Sequence, residues 1–371
     1  GFGTANQTVA QAQSVGATHL FVMVDPGVLS LLDAVTDSLQ ASGIAYTVYD
    51  KIIGNPDVAH TDAAAAAFRA SGADTLLGIG GGSALDMAKG VRVLAGAPED
   101  ASSADFMSTN PNGRPTPPTH KLPPMIAMPT TAGTGSEVTP WGVVTDHKTQ
   151  QKTGIGGVNV IPTIAIIDPE LTYGLPPFLT AATGMDALSH LIEAYVSTNR
   201  NPILDSLILR GIRLISQHLR TAVAEPHHSE ARMAMMEAAM LGGIAISSNW
   251  LGACHSLAHQ LSTFADMHHG LACAIMLPPQ MRFTSPHPQA IERYADIAHA
   301  LDPDEVDAEV AADLVDELIA DIGLPLRLSE AGVQEGLIGT MAEYAMKDLN
   351  WTTNPRPTTA EDMEAMYRAV F

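Results

Sequence analysis

The sequence predicts an α/β domain with a parallel sheet over residues 1–176, followed by an all-helical domain over residues 177–371. Short apolar runs alternate with helix-length segments as far as about residue 175, a rhythm that implies parallel βαβ units. From Leu179 onward nearly every segment has helical periodicity, and Pro176-Pro177 in "DPELTYGLPP" marks the change. A length of 371 residues, 46% of them hydrophobic, supplies enough apolar side chain for two such cores.

In order along the chain, "THLFVMVD" is a buried strand ending in Asp25. "PGVLSLLDAVTDSLQASG" follows as an amphipathic helix closed by Gly43, and "IAYTVYD" as the next strand. "TDAAAAAFRASG" reads as a helix with Thr61 as N-cap and Gly72 as its stop. "DTLLGIG" is a strand and "SALDMAKGVRVLAG" a helix. In such a sheet, ligands sit at the C-terminal strand ends. Residues 99–124 are rich in turn formers and read as a long surface loop, before "MIAMPTTAGTGSEV" returns to a strand and a polar turn. "AATGMDALSHLIEAYVS", "ILDSLILRGIRLISQHLRTAV", "SEARMAMMEAAMLGGIAISS", "IERYADIAHAL" and "EVAADLVDELIADIG" are the helices of the second domain.

The formal net charge of −21 opposes binding to a phosphate backbone or an anionic membrane, so neither nucleic acid nor membrane is expected as a partner. No apolar run reaches the roughly 18–20 residues a bilayer span requires. Cys254 and Cys273 make neither a CxxC pair nor a disulfide framework, which fits a reducing cytoplasm. The chain opens at Gly1 without a Met, so residues preceding it are expected.

Four stretches carry chemistry. Gly80, Gly81 and Gly82 of "GIGGGSALDMAKG" lie between a strand and a helix. There, missing Cβ atoms let backbone N–H groups approach a pyrophosphate, although a tight connection would need the same residues. Asp25 at its strand end suits a ribose 2′-hydroxyl, but the residues alone favour an N-cap before Pro26. Thr130, Thr131, Thr134 and Ser136 of "PTTAGTGSEVT" offer hydroxyls beside glycines, for phosphate or ribose or simply for a polar turn. Asp186 and His190 are spaced i, i+4 in an apolar helix, and His255 and His259 repeat the spacing in "HSLAHQLSTFADMHHG". A buried carboxylate needs a partner. One Asp with several His suits a borderline divalent ion such as Fe(II) or Zn(II).

Together these motifs, in this order, resemble the iron-containing (group III) alcohol dehydrogenase family over nearly the whole chain. The resemblance implies a Rossmann-like NAD-binding domain, an all-helical metal-binding domain, and a homodimer or larger homo-oligomer. It implies metal ligands at Asp186, His190, His255 and His269, the last preferred to His268 because it directly precedes Gly270. His259 matches a histidine lying between metal and nicotinamide. Asp25 matches the residue favouring NAD over NADP, and Asn55, Gly81, Gly82, Ser83, Asp86, Thr130, Thr131, Thr134 and Lys152 match cofactor-contacting positions. Ala84 stands where the family often has Pro, and "HQLS" with Gln260 and Ser262 replaces "HPLG". Asn350 beside Trp351 replaces a small residue, often Cys. The family's first strand is absent.

The implied activity is reversible hydride transfer between NAD and a small primary or secondary alcohol or its aldehyde, with His259 relaying the proton. Trp141, Phe264 and Trp351 are the residues expected to narrow the substrate pocket. Ligand type leaves the ion open between Fe(II), expected from the family, and Zn(II), with Mn(II) or Ni(II) less favoured. The alternative is a metal-dependent lyase of dehydroquinate-synthase-like type using NAD transiently. It predicts no net NADH, and basic residues for a phosphorylated substrate, of which the pocket-forming helices show few.

Overall fold

The computed structural model describes residues 1–108 and 115–371, so part of the expected long loop, 109–114, lies outside the described residues. The chain forms two compact units. One comprises Gly1–Thr131 and Ser136–Tyr173, the other Ala132–Gly135 and Gly174–Phe371.

In chain order the first unit runs α1 (Thr8–Ser14), β1 (His19–Val24), α2 (Leu32–Ser42), β2 (Ala45–Tyr49), α3 (Val58–Ser71), β3 (Thr75–Gly80), α4 (Gly82–Leu94), β4 (Met125–Pro129), β5 (Trp141–Asp146), β6 (Gln151–Gly156) and β7 (Ile164–Ala165). Five strands form a parallel sheet in the order β2-β1-β3-β4-β7. The central strands are unbroken apolar runs because both faces are covered. On one face Phe21, Met23 and Leu76 pack with Phe68, Leu85 and Ala88. On the other, Leu20, Val22, Val24, Leu77 and Ile79 pack with Leu39 and Ile126. Edge strand β2 is the least buried, with Tyr46 and Val48 exposed.

Several local expectations are corrected. Asp57, not Thr61, caps α3, accepting from His60 N at 2.8 Å, and Thr61 is buried one turn inside. The helix expected from Pro26 begins as a 3-10 segment, Pro26–Leu31, with Val28 off helical geometry, and α2 starts only at Leu32. β5 and β6 form an antiparallel hairpin over a stretch to which the sequence reading assigns no element. Its turn lacks an Asn-Gly or Asp-Gly signal. Instead Gln150 takes φ 55°, and the Asp146 carboxylate accepts from Lys148 N and Thr149 Oγ1.

A buried guanidinium braces this unit. Arg92 of α4 donates to Pro123 O (2.8 Å), Val160 O (3.1 Å) and Ile161 O (2.7 Å), joining the segments that precede β4 and β7.

The helical unit contains α5 (Pro177–Val196), α6 (Asp205–Ala224), α7 (Ser229–Asn249), α8 (Ala253–Ala265), α9 (His269–Thr284), α10 (Ile291–Leu301), α11 (Ala311–Asp321), α12 (Ile338–Ala345) and α13 (Ala360–Ala369). α6 has one apolar stripe, Ile208, Ile212, Ile215, Leu219 and Ala222, as a helix with one wet face requires. α5 has no wet face: every residue from Thr180 to Val196 is buried. It is the axis of the unit, so Asp186, His190 and Glu193, spaced by four and three, form a polar stripe inside the protein. The N-terminus of α9 meets α5 backbone to backbone: a Cβ on Gly270 would lie 2.2 Å from Ala182 O.

Two predictions follow from this packing. Arg92→Ala strands three carbonyls and lowers stability by about 3 kcal/mol or more, read by urea denaturation. Gly270→Ala forces α9 away from α5 and costs at least about 2 kcal/mol, read as a fall in melting temperature. Unchanged denaturation midpoints would refute either contact.

Candidate active site

Three helices converge on one carboxylate oxygen. α5 supplies Asp186 and His190, α8 supplies His255, and α9 opens with His269. Their Nε2 atoms lie 3.4 Å (His190), 3.6 Å (His255) and 3.6 Å (His269) from Asp186 Oδ1. That oxygen is buried, yet it accepts no hydrogen bond among the described residues. An unpartnered carboxylate oxygen ringed by three imidazole nitrogens is a costly arrangement unless a cation completes it. The donor set, one oxygen and three nitrogens, fits a borderline divalent ion. Burial pushes the His190 ring down to about 4, which keeps it neutral at neutral pH, the form that offers a lone pair.

A carboxylate behind the cluster orients it. The Glu193 Oε2 atom accepts a hydrogen bond from His255 Nδ1, which turns Nε2 towards Asp186. Its Oε1 accepts from Cys254 N at 2.7 Å and His255 N at 3.4 Å. These are first-turn amides of α8, whose N-cap, Gly252, has no side chain to cap them. One buried acid therefore both caps the helix and aims its histidine. At the other end Asp266, at φ 50°, terminates α8 and lets the chain turn into α9.

His259 stands beside the cluster, its ring centroid 5.3 Å from that of His269 and 6.0 Å from that of His255. Its Nδ1 donates to Asp348 Oδ2 at 2.5 Å. Asp348 Oδ1 in turn accepts from Asn350 N, capping the 3-10 segment Leu349–Thr353. His268 points elsewhere and packs edge-on against Phe178, with centroids 5.9 Å apart. Cys273 lies one turn after His269, with Sγ 3.6 Å from His269 Nε2 and 3.8 Å from His255 Nε2.

In the α/β unit, most of the residues singled out lie near the C-terminal strand ends or the hairpin. β1 has β2 on one side and β3 on the other, so the chain leaves it in opposite directions, and this is where a crevice opens in such sheets. Asp25 follows β1, and its Oδ1 accepts from Gly27 N at 2.8 Å, so the N-cap reading holds. Gly80 ends β3 at φ 149°, and a Cβ there would lie 2.8 Å from Asp25 Cβ. Gly81 is the N-cap of α4, and Gly82 and Ser83 form its first turn, where amides have no partner within the helix. Thr130 N extends the ladder to Gly80 O, and the Thr131 side chain lies over Gly81. Lys152 Nζ donates to Asn55 Oδ1 at 2.9 Å, with Asn55 held at φ 50°. Asp86 Oδ1 accepts from Ser136 Oγ at 2.6 Å. Ser136 Oγ also accepts from Lys89 Nζ, which is completely buried and reaches Thr139 Oγ1 and Trp141 O as well. Burial lowers the Lys89 ammonium to about 8.

The remaining residues are dispersed between the units. Thr134 belongs to the short segment Ala132–Gly135 of the helical unit. Trp141 lies on β5 of the α/β unit. In the helical unit, Phe264 packs against Tyr344 with centroids 5.0 Å apart, and Trp351 Nε1 donates to Met346 O. Sequence reasoning missed Glu193, Asp348, Cys273 and Lys89. Glu193 and Cys273 carried a signal, since they fall three and four residues after His190 and His269 on the same helices. Asp348 is 89 residues from His259 and carried none.

A family model described as iron-containing alcohol dehydrogenase matches residues 1–169. The C-terminal model of the Fe-containing alcohol dehydrogenase family matches residues 180–371. The chain is 36% identical to alcohol dehydrogenase 4 of Schizosaccharomyces pombe over 371 residues, covering all of this chain and 86% of that protein. Its structure is similar to that of a 1,3-propanediol oxidoreductase, with TM-score 0.92, 34% identity, and 100% and 97% of the two chains covered. It is also similar to sulfoacetaldehyde reductase from Bifidobacterium kashiwanohense in complex with NAD+, with TM-score 0.88, 32% identity, and 100% and 95% covered. The chain thus belongs to the iron-containing alcohol dehydrogenase family and is a metal- and NAD-dependent alcohol oxidoreductase.

Proposed function

We propose that this enzyme transfers hydride reversibly between NAD and a small primary or secondary alcohol, with Fe(II) held by Asp186, His190, His255 and His269. The convergence of three imidazole nitrogens on the unpartnered Asp186 Oδ1 carries the reading. A divalent ion in this site supplies a Lewis acid that acidifies an alcohol and favours the developing negative charge.

The protein's own groups then divide the work. Amides of Gly81, Gly82 and Ser83 at the start of α4 receive the pyrophosphate, where the helix end favours an anion. Asp25 binds a ribose hydroxyl and would repel a 2′-phosphate. Thr130, Thr131, Thr134, Asn55 and Lys152 hold the rest of the cofactor, with Asp86 supporting the turn through Ser136. With Nδ1 committed to Asp348, His259 uses Nε2 to take the alcohol proton and pass it outwards. Trp141, Phe264 and Trp351 narrow the space for the substrate, which favours short alcohols and diols. The reading includes a homodimer or larger homo-oligomer and a cytoplasmic location. Among the described residues, no helix is long and apolar enough to cross a membrane.

The test is NADH absorbance after anaerobic loading with Fe(II), across short alcohols and diols, with a chelated control. Metal-dependent NADH formation is expected, and its absence with metal and NAD both bound would overturn the reading. His259→Ala is expected to lose about 100-fold or more in turnover while retaining full metal content. A collapse of metal content would make His259 a ligand instead of a proton carrier.

A further inference from the structure

Asp186, His255, His269 and Cys273 form a group of four whose donor atoms all lie within 4.8 Å of one another, and His190 is not among them. The spacing of the group is informative. With metal–nitrogen bonds of about 2.05 Å and a metal–sulfur bond of about 2.3 Å, a tetrahedral angle sets the nitrogen–sulfur edge at about 3.6 Å. Cys273 Sγ stands 3.6 Å from His269 Nε2 and 3.8 Å from His255 Nε2. The matching nitrogen–oxygen edge is about 3.4 Å for bonds of that length. The His255 and His269 nitrogens stand 3.6 Å from Asp186 Oδ1. Sulfur therefore sits at a ligand's distance from the nitrogens that face the site. The thiol hydrogen-bonds these two imidazole nitrogens, so the sulfur already faces the atoms an ion would share with it. Independently, Asp186 Oδ1 is buried, unpartnered among the described residues, and directed into the same group. The helix makes the placement: Cys273 follows His269 by four residues on α9, so both side chains leave on one face.

We infer that Cys273 is a sulfur donor to the metal centre, forming with Asp186, His255 and His269 a four-donor set that is an alternative to the one His190 completes, and that it biases the site towards thiophilic ions such as Zn(II) and Co(II). The inference rests on the metal site proposed above. When the sulfur–metal bond forms, the S–H bond breaks and the proton leaves to solvent; no electron is transferred. A soft donor strengthens binding of Zn(II) and Co(II) more than that of Mn(II), whose preferred ligands are hard oxygens.

The experiment is Co(II) titration of the full chain under anaerobic conditions, for the wild type, Cys273→Ser and Cys254→Ser. Visible d–d bands report that the ion binds, and a near-ultraviolet sulfur-to-cobalt charge-transfer band reports thiolate ligation. The expected result is both features in the wild type and Cys254→Ser, with the charge-transfer band lost and the d–d bands kept in Cys273→Ser. The ratio of Zn(II) to Mn(II) affinity should also fall in Cys273→Ser by at least about tenfold, the cost typical even of an outer-shell partner. Visible bands without a charge-transfer band in the wild type would overturn the sulfur ligand and leave the metal site standing. No visible bands would overturn the metal site itself. Should Cys273→Ser fail to fold, X-ray absorption of the Zn(II)-loaded wild type decides: a sulfur shell near about 2.3 Å supports the ligand, and its absence refutes it.

Discussion

Everything in the helical unit is arranged around a carboxylate in a dry interior, on a helix that has no wet side. Asp186, His190 and Glu193 occupy one stripe of α5, and each is tolerable there only because other helices bring complementary groups to it. Glu193 meets the amides that open α8 together with the His255 ring. Asp186 meets three imidazoles. The close approach of Gly270 to the α5 backbone sets where α9 begins, and hence where His269 stands. These contacts tie the positions of α8 and α9 to α5 through backbone as well as side chains. The cluster is thus a property of the helix packing, with each ligand carried on a helix whose place is fixed by contacts outside the cluster.

The general architecture was legible because its signals are periodicities. Leu20 to Val24 and Thr75 to Gly80 read as buried strands since both faces are covered, and Gly43 and Gly72 mark helix ends by turning left-handed. The start of α3 misled because Asp57 and Thr61 are both good caps, and the sequence does not say which one the preceding chain can deliver. The β5–β6 hairpin escaped because its turn is stabilised by Asp146 and by Gln150 in an uncommon conformation, not by a glycine signal.

At the site, legibility followed helical spacing. Asp186 with His190, and His255 with His259, announce themselves at i, i+4. The same rule would have reached Glu193 and Cys273 had it been continued by one turn. Asp348 could not be reached, because its contact with His259 is made by a short 3-10 segment far along the chain whose placement depends on tertiary packing. The chain's acids thus fall into two kinds: those announced by a shared helix face, and those brought in by a loop.

Asp25 performs a local task through the same carboxylate that faces the end of β1, since Oδ1 holds the Gly27 amide and so starts the 3-10 segment Pro26–Leu31. On the proposed role of Asp25 in selecting NAD, coenzyme choice and the course of the chain after β1 would be written in one side chain. A lineage drifting towards the phosphorylated cofactor could not simply discard this acid. It would have to supply another acceptor for that amide, and Ser or Asn, which retain an oxygen and lose the charge, are the economical ways through.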